Sequence, residues 1–424
     1  MTDPIQPQIA IIGSGPSGCY LAQALLRAQP ESQITIVDRL VSPFGLIRYG
    51  VAADHQHTKA ITRQFERLFQ APNVRFAGNL EVGTDFTLRE LRDCFDVVVL
   101  ATGLAADREL SLPGGDLAGV VGAGTITRAL NSHPGEGAAL PELGSDVVII
   151  GAGNVALDIL RFLVKDRGGY TASDISDTAL ESYLAHPADR VTLVSRSAAA
   201  ESKGDPQMLK EFVAIERATY RSPDDLSGSG SELDRTRSAR LAAIAEMVSA
   251  DRPVHPGPEV ELRFSLTPVR VLGDNHVTGV EFTDGTNIVT IPATSVVTAI
   301  GFTAAASGEF EPLIAQGAET GRVEPGLYRT GWAKRGPRGA IPENRACAKS
   351  VSDEITADLQ AGQLSVLGDK LGFDGLPAAA RAKAVDYAQW LVLDTHEREA
   401  ASPDRVRRKI SDHDRMVAVA RGEG

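Results

Sequence analysis

Residues 9–18 constrain the fold most strongly, because an apolar strand there runs directly into a G-x-G-x-x-G turn and then into a helix. In such a turn Gly13 permits the bend, Gly15 lets the backbone approach a pyrophosphate, and Gly18 lets the helix pack on the strand. The helix N-terminus, with its free N–H groups, would then face the phosphates of a dinucleotide. We predict that these residues of the turn contact the dinucleotide: Gly13, Ser14, Gly15, Pro16, Ser17 and Gly18.

Two later strands complete the first nucleotide site. The strand over residues 33–37 is followed by Asp38, about twenty residues after the last glycine, where an acid accepts a hydrogen bond from a ribose 2′-hydroxyl. The strand over residues 96–100 ends in Ala101-Thr102-Gly103. We predict that Thr102 and Gly103 pass close to the bound dinucleotide before the chain leaves this domain.

A second strand, turn and helix of the same kind occupies residues 146–158, where the turn reads G-x-G-x-x-A. The matching second strand ends in Arg196, whose guanidinium suits a 2′-phosphate through charge-assisted hydrogen bonds and so favours NADP over NAD. Two such motifs in one chain predict two bound dinucleotides, whereas a single-cofactor dehydrogenase needs only one. The predicted contacts of the second turn are Ala152, Gly153, Asn154 and Val155.

Composition excludes several classes of protein. The 424 residues give room for two ordinary domains, and the formal net charge of −12 argues against general nucleic-acid binding. Cys19, Cys94 and Cys347 form no C-x-x-C, which argues against a disulfide framework, a zinc or other metal site and a dithiol redox centre. The sequence has neither a secretory signal nor an apolar stretch of membrane-spanning length. We therefore predict a cytoplasmic protein without a membrane partner.

Three stretches each allow two interpretations from the residue pattern alone. His55 and His57 are either polar residues of a first helical turn or part of a site. Trp332, which basic residues and glycines follow, either packs on a bound ring or anchors the core. The basic residues near 235–240 form either a solvated helix face or a docking patch for an acidic partner.

Six motifs, in their order and spacing, resemble the family of adrenodoxin reductase and the FprA-type ferredoxin–NADP reductases. The resemblance covers nearly the whole chain, and its most specific motif is the last. It implies an α/β fold with two dinucleotide-binding (Rossmann-like) domains of the glutathione-reductase-like flavoprotein type. FAD would be held by residues 1–104 plus 325–424, and NADP(H) by residues 105–324. The motifs are G-S-G-P-S-G, P-F-G-L-I-R-Y-G-V, D-H-x-x-T-K, N-L-E-V-G, G-A-G-N-V-A-L-D and G-W-A-K-R-G-P-R-G.

The resemblance also implies roles for single residues. His55 and Glu211 would lie beside the reacting rings as the catalytic residues. The first turn and Asp38 would hold FAD, while the second turn would hold the pyrophosphate of the nicotinamide cofactor and Arg196 its 2′-phosphate. Further contacts with FAD would come from Leu46, Val82, Trp332, Gly339, Ala340 and Ile341, with Gly339 also near the nicotinamide.

The chain departs from the family pattern in three places. Ser197 stands where the family has a second arginine, so NAD(H) remains possible, and Lys203 is a candidate to supply the missing charge. Residues 198–208 differ from the family's apolar pattern and form a longer segment, which affects the assignment of Glu211. Pro342-Glu343 replaces a Gly-Thr pair of the family.

The function that the resemblance implies is that of an FAD-dependent ferredoxin–NADP(+) reductase. NADPH would deliver a hydride to flavin N5, and electrons would then pass one at a time to an iron–sulfur ferredoxin. Two alternatives stay open: an NAD(P)H-dependent flavin oxidoreductase with a quinone or other small-molecule acceptor, and a non-catalytic dinucleotide-binding protein. The predicted positive contacts with a ferredoxin are Arg235, Arg237 and Arg240, or Lys334 and Arg335.

Overall fold

The computed structural model describes residues 6–137, 139–226, 234–304, 310–314, 317–339, 341–364, 366 and 368–423. The chain divides into two compact units. The first unit consists of Met1–Val51, His55–Ala106 and Phe302–Gly424, and the second of Ala52–Asp54 and Asp107–Gly301. The return to the first unit falls at Phe302, whereas the family resemblance implies residue 325.

The strands follow the apolar runs of the sequence. They are β1 (Gln8–Ile12), β2 (Gln33–Val37), β3 (Val74–Ala77), β4 (Val97–Leu100), β5 (Ala106–Asp107), β6 (Val120–Gly122), β7 (Asp146–Ile150), β8 (Arg190–Val194), β9 (Thr219–Arg221), β10 (Glu259–Arg263), β11 (Thr267–Leu272), β12 (Gly279–Thr283), β13 (Ile288–Pro292), β14 (Ser295–Thr298), β15 (Phe302–Thr303), β16 (Arg322–Glu324) and β17 (Leu327–Arg329).

The helices vary in length from one turn to more than five. They are α1 (Pro16–Ala28), α2 (Leu46–Tyr49), α3 (Gln56–Lys59), α4 (Thr62–Glu66), α5 (Leu88–Cys94), α6 (Ala123–Leu130), α7 (Asn154–Val164), α8 (Asp177–Ala185), α9 (Pro206–Glu211), α10 (Arg235–Met247), α11 (Trp332–Arg335), α12 (Ile341–Gln360), α13 (Ala378–Lys383), α14 (Tyr387–Glu399) and α15 (His413–Ala420). In the part of the chain that the structure describes, no helix is long and apolar enough to cross a membrane.

The first unit is built on a sheet with the strand order β16-β17-β4-β1-β2-β3. The pairs from β17 to β3 are all parallel, and only β16 runs antiparallel to its neighbour. Ile9, Ala10, Ile11 and Ile12 of β1 have almost no exposed surface, as expected for a parallel strand covered on both faces. Helices α1 and α12 pack on this sheet together with Trp390 of α14.

The second unit repeats this plan with the order β6-β14-β7-β8-β10-β9, in which every pair is parallel. A separate antiparallel sheet, β11-β12-β13, is inserted before β14. In both units the strand that enters the glycine turn lies between its two partner strands: β1 between β2 and β4, and β7 between β8 and β14. Ligands of open α/β sheets bind beyond the carboxyl ends of such strands, so each unit has one predicted nucleotide site.

The C-terminal segment packs within the first unit. Trp390 lies with its ring centroid 6.4 Å from that of Phe44. Glu397 has no exposed surface, and its carboxylate binds the buried guanidinium of Arg48 at 2.6 Å. Lys409 donates to the carbonyl of Arg48 at 3.0 Å. The loop that contains Phe44 and Arg48 is therefore fixed from the far end of the chain.

Candidate dinucleotide sites

The first cradle is the turn 13–18 together with Asp38. Gly13 has a φ of +111°, and a Cβ there would lie 2.5 Å from the carbonyl oxygen of Ala101. A Cβ on Gly18 would lie 2.0 Å from the carbonyl oxygen of Gly13. Only glycine fits at these two positions, because the end of β4 and the start of α1 approach the turn so closely.

Gly15, unlike Gly13 and Gly18, has open space where a side chain would lie. A Cβ there would find a single heavy atom within 4 Å among the described residues, the Cα of Gly45 at 3.9 Å. Gly15 is the N-cap of α1, no side chain caps the helix, and no acidic residue lies in its first turn. The helix therefore presents free N–H groups and the positive end of its dipole to an open face, which fits a dinucleotide pyrophosphate.

Asp38 follows β2 and is oriented by the turn itself. Its Oδ2 accepts from the backbone N–H of Ser14 at 2.9 Å, and its Oδ1 accepts from the backbone N–H of Leu40 at the same distance. The hydroxyl of Ser14 donates to Oδ2 as well. Because Oδ1 accepts only one of these bonds and has a further lone pair, the fixed carboxylate can still accept a hydroxyl group of a ribose.

The loop before α2 borders the open face of the first cradle. Phe44, with a φ of +83°, donates its N–H to the carbonyl of Ser14 at 3.1 Å. Leu46 begins α2 and is 37% exposed. Thr102 is exposed directly after β4, where its backbone nitrogen would lie 3.2 Å from a Cβ on Gly13. These contacts bring Leu46 and Thr102, both predicted to contact FAD, to the edges of one cradle.

The remaining predicted contacts of the first unit have different surroundings. Val82 is half-buried and pairs with Phe86 in a short bridge. Gly103 has a φ of +67°, and a Cβ there would meet no atom of the described residues within 4 Å. Gly339 is exposed, and Ile341 begins α12 and packs against the core of the unit. Ala340 lies outside the described residues.

The segment around Trp332 meets the first turn of α1. A Cβ on Gly331 would lie 1.9 Å from the Oγ of Ser17, and that hydroxyl donates to the Oδ1 of Asn344 at 3.0 Å. The same amide oxygen accepts from Arg335 at 2.7 Å. Trp332 stacks on Phe302 with ring centroids 5.5 Å apart, and its buried indole N–H has no hydrogen-bond partner in the described chain.

The prediction that Lys334 and Arg335 form a positive docking surface is wrong. Lys334 is only 6% exposed, and its ammonium group lies 3.6 Å from the carboxylate of Glu354. Arg335 is bound to Asn344 and to the carbonyl of Arg338. The two cations stabilise the segment that leads into α12 and are not presented to a partner.

The second cradle is the turn 151–156 together with Arg196. Gly151 has a φ of +122°, and a Cβ there would lie 2.4 Å from the carbonyl oxygen of Ala299. Gly153 caps α7 without a side-chain hydrogen bond, and the first turn of α7 holds no acidic residue. The last residue of the G-x-G-x-x-A motif is Ala156, which is fully buried. This geometry again fits a pyrophosphate.

The edges of the second cradle are more exposed than those of the first. Arg196 follows β8, is exposed, and has no hydrogen bond or ion pair with any residue that the structure describes. Ala152 and Val155 are half-buried, and Asn154 is exposed. The side chain of Asn154 accepts from the backbone N–H of Asp205 at 2.9 Å, which brings the loop before α9 against the cradle.

The basic residues of α10 are partly engaged within the second unit, and a docking role for them stays a prediction. Arg240 donates from Nε to the carbonyl of Gly204 and from Nη1 to the carbonyl of Ala200, each at 2.7 Å. Arg237 forms an ion pair with Glu201 at 3.0 Å. Arg235 is exposed at the start of the helix. Two of the three arginines thus hold the loop of residues 199–205 in place.

The two predicted catalytic residues lie in different units. His55, in the first unit, is half-buried and precedes α3 as its N-cap. Glu211, in the second unit, ends α9, is 40% exposed and binds the guanidinium of Arg161 at 2.7 Å. Burial lowers the pKa of Arg161, but the carboxylates of Asp54, Asp158 and Glu211 raise it above its ordinary value. The catalytic roles of His55 and Glu211 remain predictions.

Residues 7–213 match the family described as Pyridine nucleotide-disulphide oxidoreductase. Two cradles of this construction at the ends of two parallel sheets define an oxidoreductase of the two-dinucleotide-domain class. The three cysteines, Cys19, Cys94 and Cys347, are all free in the structure.

Relatives narrow this class. Cindoxin reductase of Citrobacter braakii is 39% identical over 424 residues, which cover 98% of this chain and 92% of that protein. The probable mitochondrial NADPH:adrenodoxin oxidoreductase of Schizosaccharomyces pombe is 32% identical, with 94% of this chain and 92% of that protein covered. The structure of Mycobacterium tuberculosis FprA in complex with NADPH matches with a TM-score of 0.89 and 28% identity, covering 98% of this chain and all of that one.

The chain belongs to the family of adrenodoxin reductase and the FprA-type ferredoxin–NADP reductases. The resemblance in the six sequence motifs is thereby confirmed, as is the predicted fold of two Rossmann-like domains. Sequence reasoning missed the roles of Asn344 and Arg240. Arg240 could be singled out as a basic residue, but no sequence signal identifies the carbonyl groups that it binds.

Proposed function

We propose that this protein is an FAD-dependent reductase of the cytoplasm that passes electrons between NADPH and an iron–sulfur ferredoxin. The observation that carries the proposal is the presence of two complete cradles, each at the carboxyl end of its own parallel sheet, in a chain related over its full length to such reductases. The first unit would bind FAD and the second the nicotinamide nucleotide.

The first cradle suits FAD because it offers an acid for the ribose and an open helix N-terminus for the pyrophosphate. Asp38 would accept the ribose hydroxyl, and the N–H groups of Ser17 and Gly18 would face the phosphates. Trp332 supports the same assignment, because its buried indole N–H has no partner in the described chain. Leu46, Val82, Gly339 and the helix start at Ile341 would provide the remaining contacts.

The cofactor is needed because a nicotinamide gives up two electrons together while an iron–sulfur cluster accepts one at a time. FAD, when bound, accepts the pair and releases the electrons singly; the protein supplies binding, orientation and electrostatics. The residues of the first cradle hold the ribose and pyrophosphate in fixed positions. The segment around Phe44 is fixed at the border of the cradle by the N–H of Phe44 and by the Arg48–Glu397 ion pair.

The second cradle suits NADPH because a cation replaces the acid at the end of its second strand. The guanidinium of Arg196 would bind the 2′-phosphate in charge-assisted hydrogen bonds. Its lack of a partner among the described residues leaves all its donors available. With Ser197 beside it, NADH would bind as well, though more weakly.

His55 and Glu211 are proposed to act near the reacting rings, as the family resemblance implies. Their side chains differ in what they can do. His55 offers an imidazole ring whose two nitrogens can take part in hydrogen bonds. Glu211, ion-paired with Arg161 at 2.7 Å, would act by its charge. A glutamine at position 211 would keep the side-chain shape and remove that charge.

An assay of cytochrome c reduction with separate additions of ferredoxin, NADPH and NADH tests the proposal. We expect purified protein that contains FAD, a rate that depends on added ferredoxin, and a clear preference for NADPH. A full rate without ferredoxin, or with a quinone in its place, would show that the acceptor is a small molecule. Protein that takes up no FAD would contradict the assignment to a flavoprotein reductase.

A further inference from the structure

We propose that Lys203 is an additional nucleotide-binding residue that contacts the pyrophosphate of the nicotinamide cofactor, and that Arg240 is the residue that positions it. The inference rests on the nicotinamide site proposed above for the second unit. It replaces the earlier expectation that Lys203 makes up for Ser197 at the 2′-phosphate.

The position of Lys203 relative to the second cradle is the first observation. A Cβ on Gly153 would have one heavy atom within 4 Å among the described residues, and that atom is the Cβ of Lys203 at 3.9 Å. Gly153 is the N-cap of α7, where the pyrophosphate of a dinucleotide binds in this type of turn. The lysine therefore starts at the border of the open face that the phosphates would occupy.

The charge of Lys203 is available for a ligand. The side chain is exposed and has no hydrogen bond or ion pair in the described part of the chain. The nearest acids in sequence are engaged elsewhere: Glu201 forms an ion pair with Arg237, and Asp205 caps α9 by accepting from the N–H of Gln207 at 2.8 Å. A lysine on a flexible four-carbon stem is suited to bind a phosphate as a point charge.

The backbone on both sides of Lys203 is fixed. Ser202 and Gly204 are buried, and a Cβ on Gly204 would lie 3.4 Å from the carbonyl oxygen of Ala152 in the glycine turn. Arg240 binds the carbonyl groups of Gly204 and Ala200, both at 2.7 Å. The loop thus holds an exposed lysine between two buried neighbours, and Arg240 sets its distance from the cradle.

The position also separates Lys203 from Arg196 in function. Arg196 follows β8, the strand whose end recognises the ribose and its 2′-substituent. Lys203 lies instead beside the helix N-terminus, which binds the part that NADH and NADPH share. Lys203 should therefore increase affinity for both nucleotides equally, while Arg196 should determine the preference between them.

The test measures binding of NADP(+) and NAD(+) to the FAD-loaded protein by calorimetry, with FAD content as a check. For Lys203→Gln we expect about a tenfold weaker affinity for both nucleotides, which corresponds to one charge-assisted hydrogen bond, and an unchanged ratio between them. Arg196→Gln should weaken NADP(+) alone. Lys210→Gln, which removes an exposed lysine of α9, should change neither affinity.

Three results would overturn the proposal. A loss confined to NADP(+) in Lys203→Gln would place the lysine at the 2′-phosphate, and no loss for either nucleotide would remove it from the site. Wild-type protein that binds neither nucleotide would contradict the proposed function itself, which distinguishes that failure from the other two. Lys203→Arg should retain most of the affinity, because the charge is kept.

Arg240 is tested through its coupling to Lys203. Arg240→Gln loses the charged donors to both carbonyl groups, and we expect weaker binding of both nucleotides with an unchanged ratio. In the double variant Lys203→Gln/Arg240→Gln the second change should add little, because the positioned group is already absent. Fully additive losses would show that Arg240 supports the fold and does not position Lys203.

Discussion

The two cradles have the same construction but differ in what borders their open faces. A backbone atom, the Cα of Gly45, lies beside the first, whereas the side chain of Lys203 lies beside the second, both at 3.9 Å from the position of an added Cβ. Asp38 at the first cradle is held by three hydrogen bonds, while Arg196 at the second is exposed. We infer that the first cradle keeps its cofactor and that the second exchanges its nucleotide.

The third small residue of each motif, Gly18 or Ala156, shows how closely the helix and the strand approach each other. Gly18 in the first cradle leaves no room for a methyl group, but Ala156 already carries one in the second. The same fingerprint therefore defines where a dinucleotide binds without fixing how tightly the elements pack. We infer that residues outside the fingerprint decide how long the ligand stays bound.

The largest effect is expected from Gly18→Ala. The new Cβ would lie 2.0 Å from a backbone oxygen, so α1 must move away from β1 and the first unit should fail to form its FAD site. Soluble yield, FAD content and thermal unfolding would measure this. In the second cradle Ala156→Gly should cost only about 1 kcal/mol, the usual penalty for glycine in a helix. A Gly18→Ala protein with normal FAD content would refute the close packing.

The next effect concerns the ion pair that fixes the border of the first cradle. Glu397→Gln leaves the buried Arg48 without its carboxylate, and breaking a buried pair in this way costs about 3–5 kcal/mol. In chemical unfolding the free energy of unfolding should fall, and FAD should be released faster. Glu181→Gln removes a pair that is more than half exposed in the second unit and should change stability little. Similar losses of stability in Glu397→Gln and Glu181→Gln would contradict the contrast between the two units.

Gly15→Ala and Gly153→Ala compare the open faces directly. Neither added methyl group meets an atom of the described residues closer than 3.9 Å, so both proteins should fold normally. Each methyl group would occupy the approach of a pyrophosphate. Gly15→Ala should therefore lose FAD, and Gly153→Ala should keep FAD but bind NADP(+) about tenfold more weakly. Flavin absorbance would measure the FAD content, and calorimetry would measure the binding of NADP(+). Loss of FAD in Gly153→Ala would show that the sites are assigned to the wrong units.

The smallest effect is a pH dependence confined to the first unit. The Nε2 of His413 lies 2.9 Å from the Oδ1 of Asn79. Burial lowers the pKa of His413 below its ordinary value. Because the unfolded chain takes up this proton first, the contribution to stability is present above about pH 6.5 and is lost as the pH falls below it. His413→Gln should reduce the loss of stability between about pH 7 and pH 5. If the stability of His413→Gln fell with pH as much as that of the wild type, this assignment to His413 would be contradicted.

The sequence predicts the strands, glycine turns and end residues of both sites because these depend on local pattern. A strand, a G-x-G-x-x-G or G-x-G-x-x-A turn and a helix define one βα unit, so Gly13 and Gly151 could be assigned without tertiary information. Asp38 and Arg196 follow from the length of the unit.

Roles that depend on distant partners could not be predicted. Lys334 and Arg240 have the appearance of surface cations in the sequence, but Glu354 and the carbonyl groups of Ala200 and Gly204 bind them in the fold. Asn344 contacts Ser17 across 327 positions of sequence, which no local pattern indicates. The departure at Ser197 was visible, but the place of Lys203 beside Gly153 required the structure.

Anaerobic titration of the purified protein with NADPH, followed by flavin absorbance, tests the central claim most directly. If the first unit keeps FAD and the second binds an exchangeable nucleotide, one equivalent of NADPH per flavin should bleach the absorbance, and oxidised ferredoxin should restore it. Gel filtration afterwards should leave FAD with the protein and remove NADP(+). A flavin that NADPH does not bleach, or a protein that loses FAD and retains the nicotinamide nucleotide, would contradict the account.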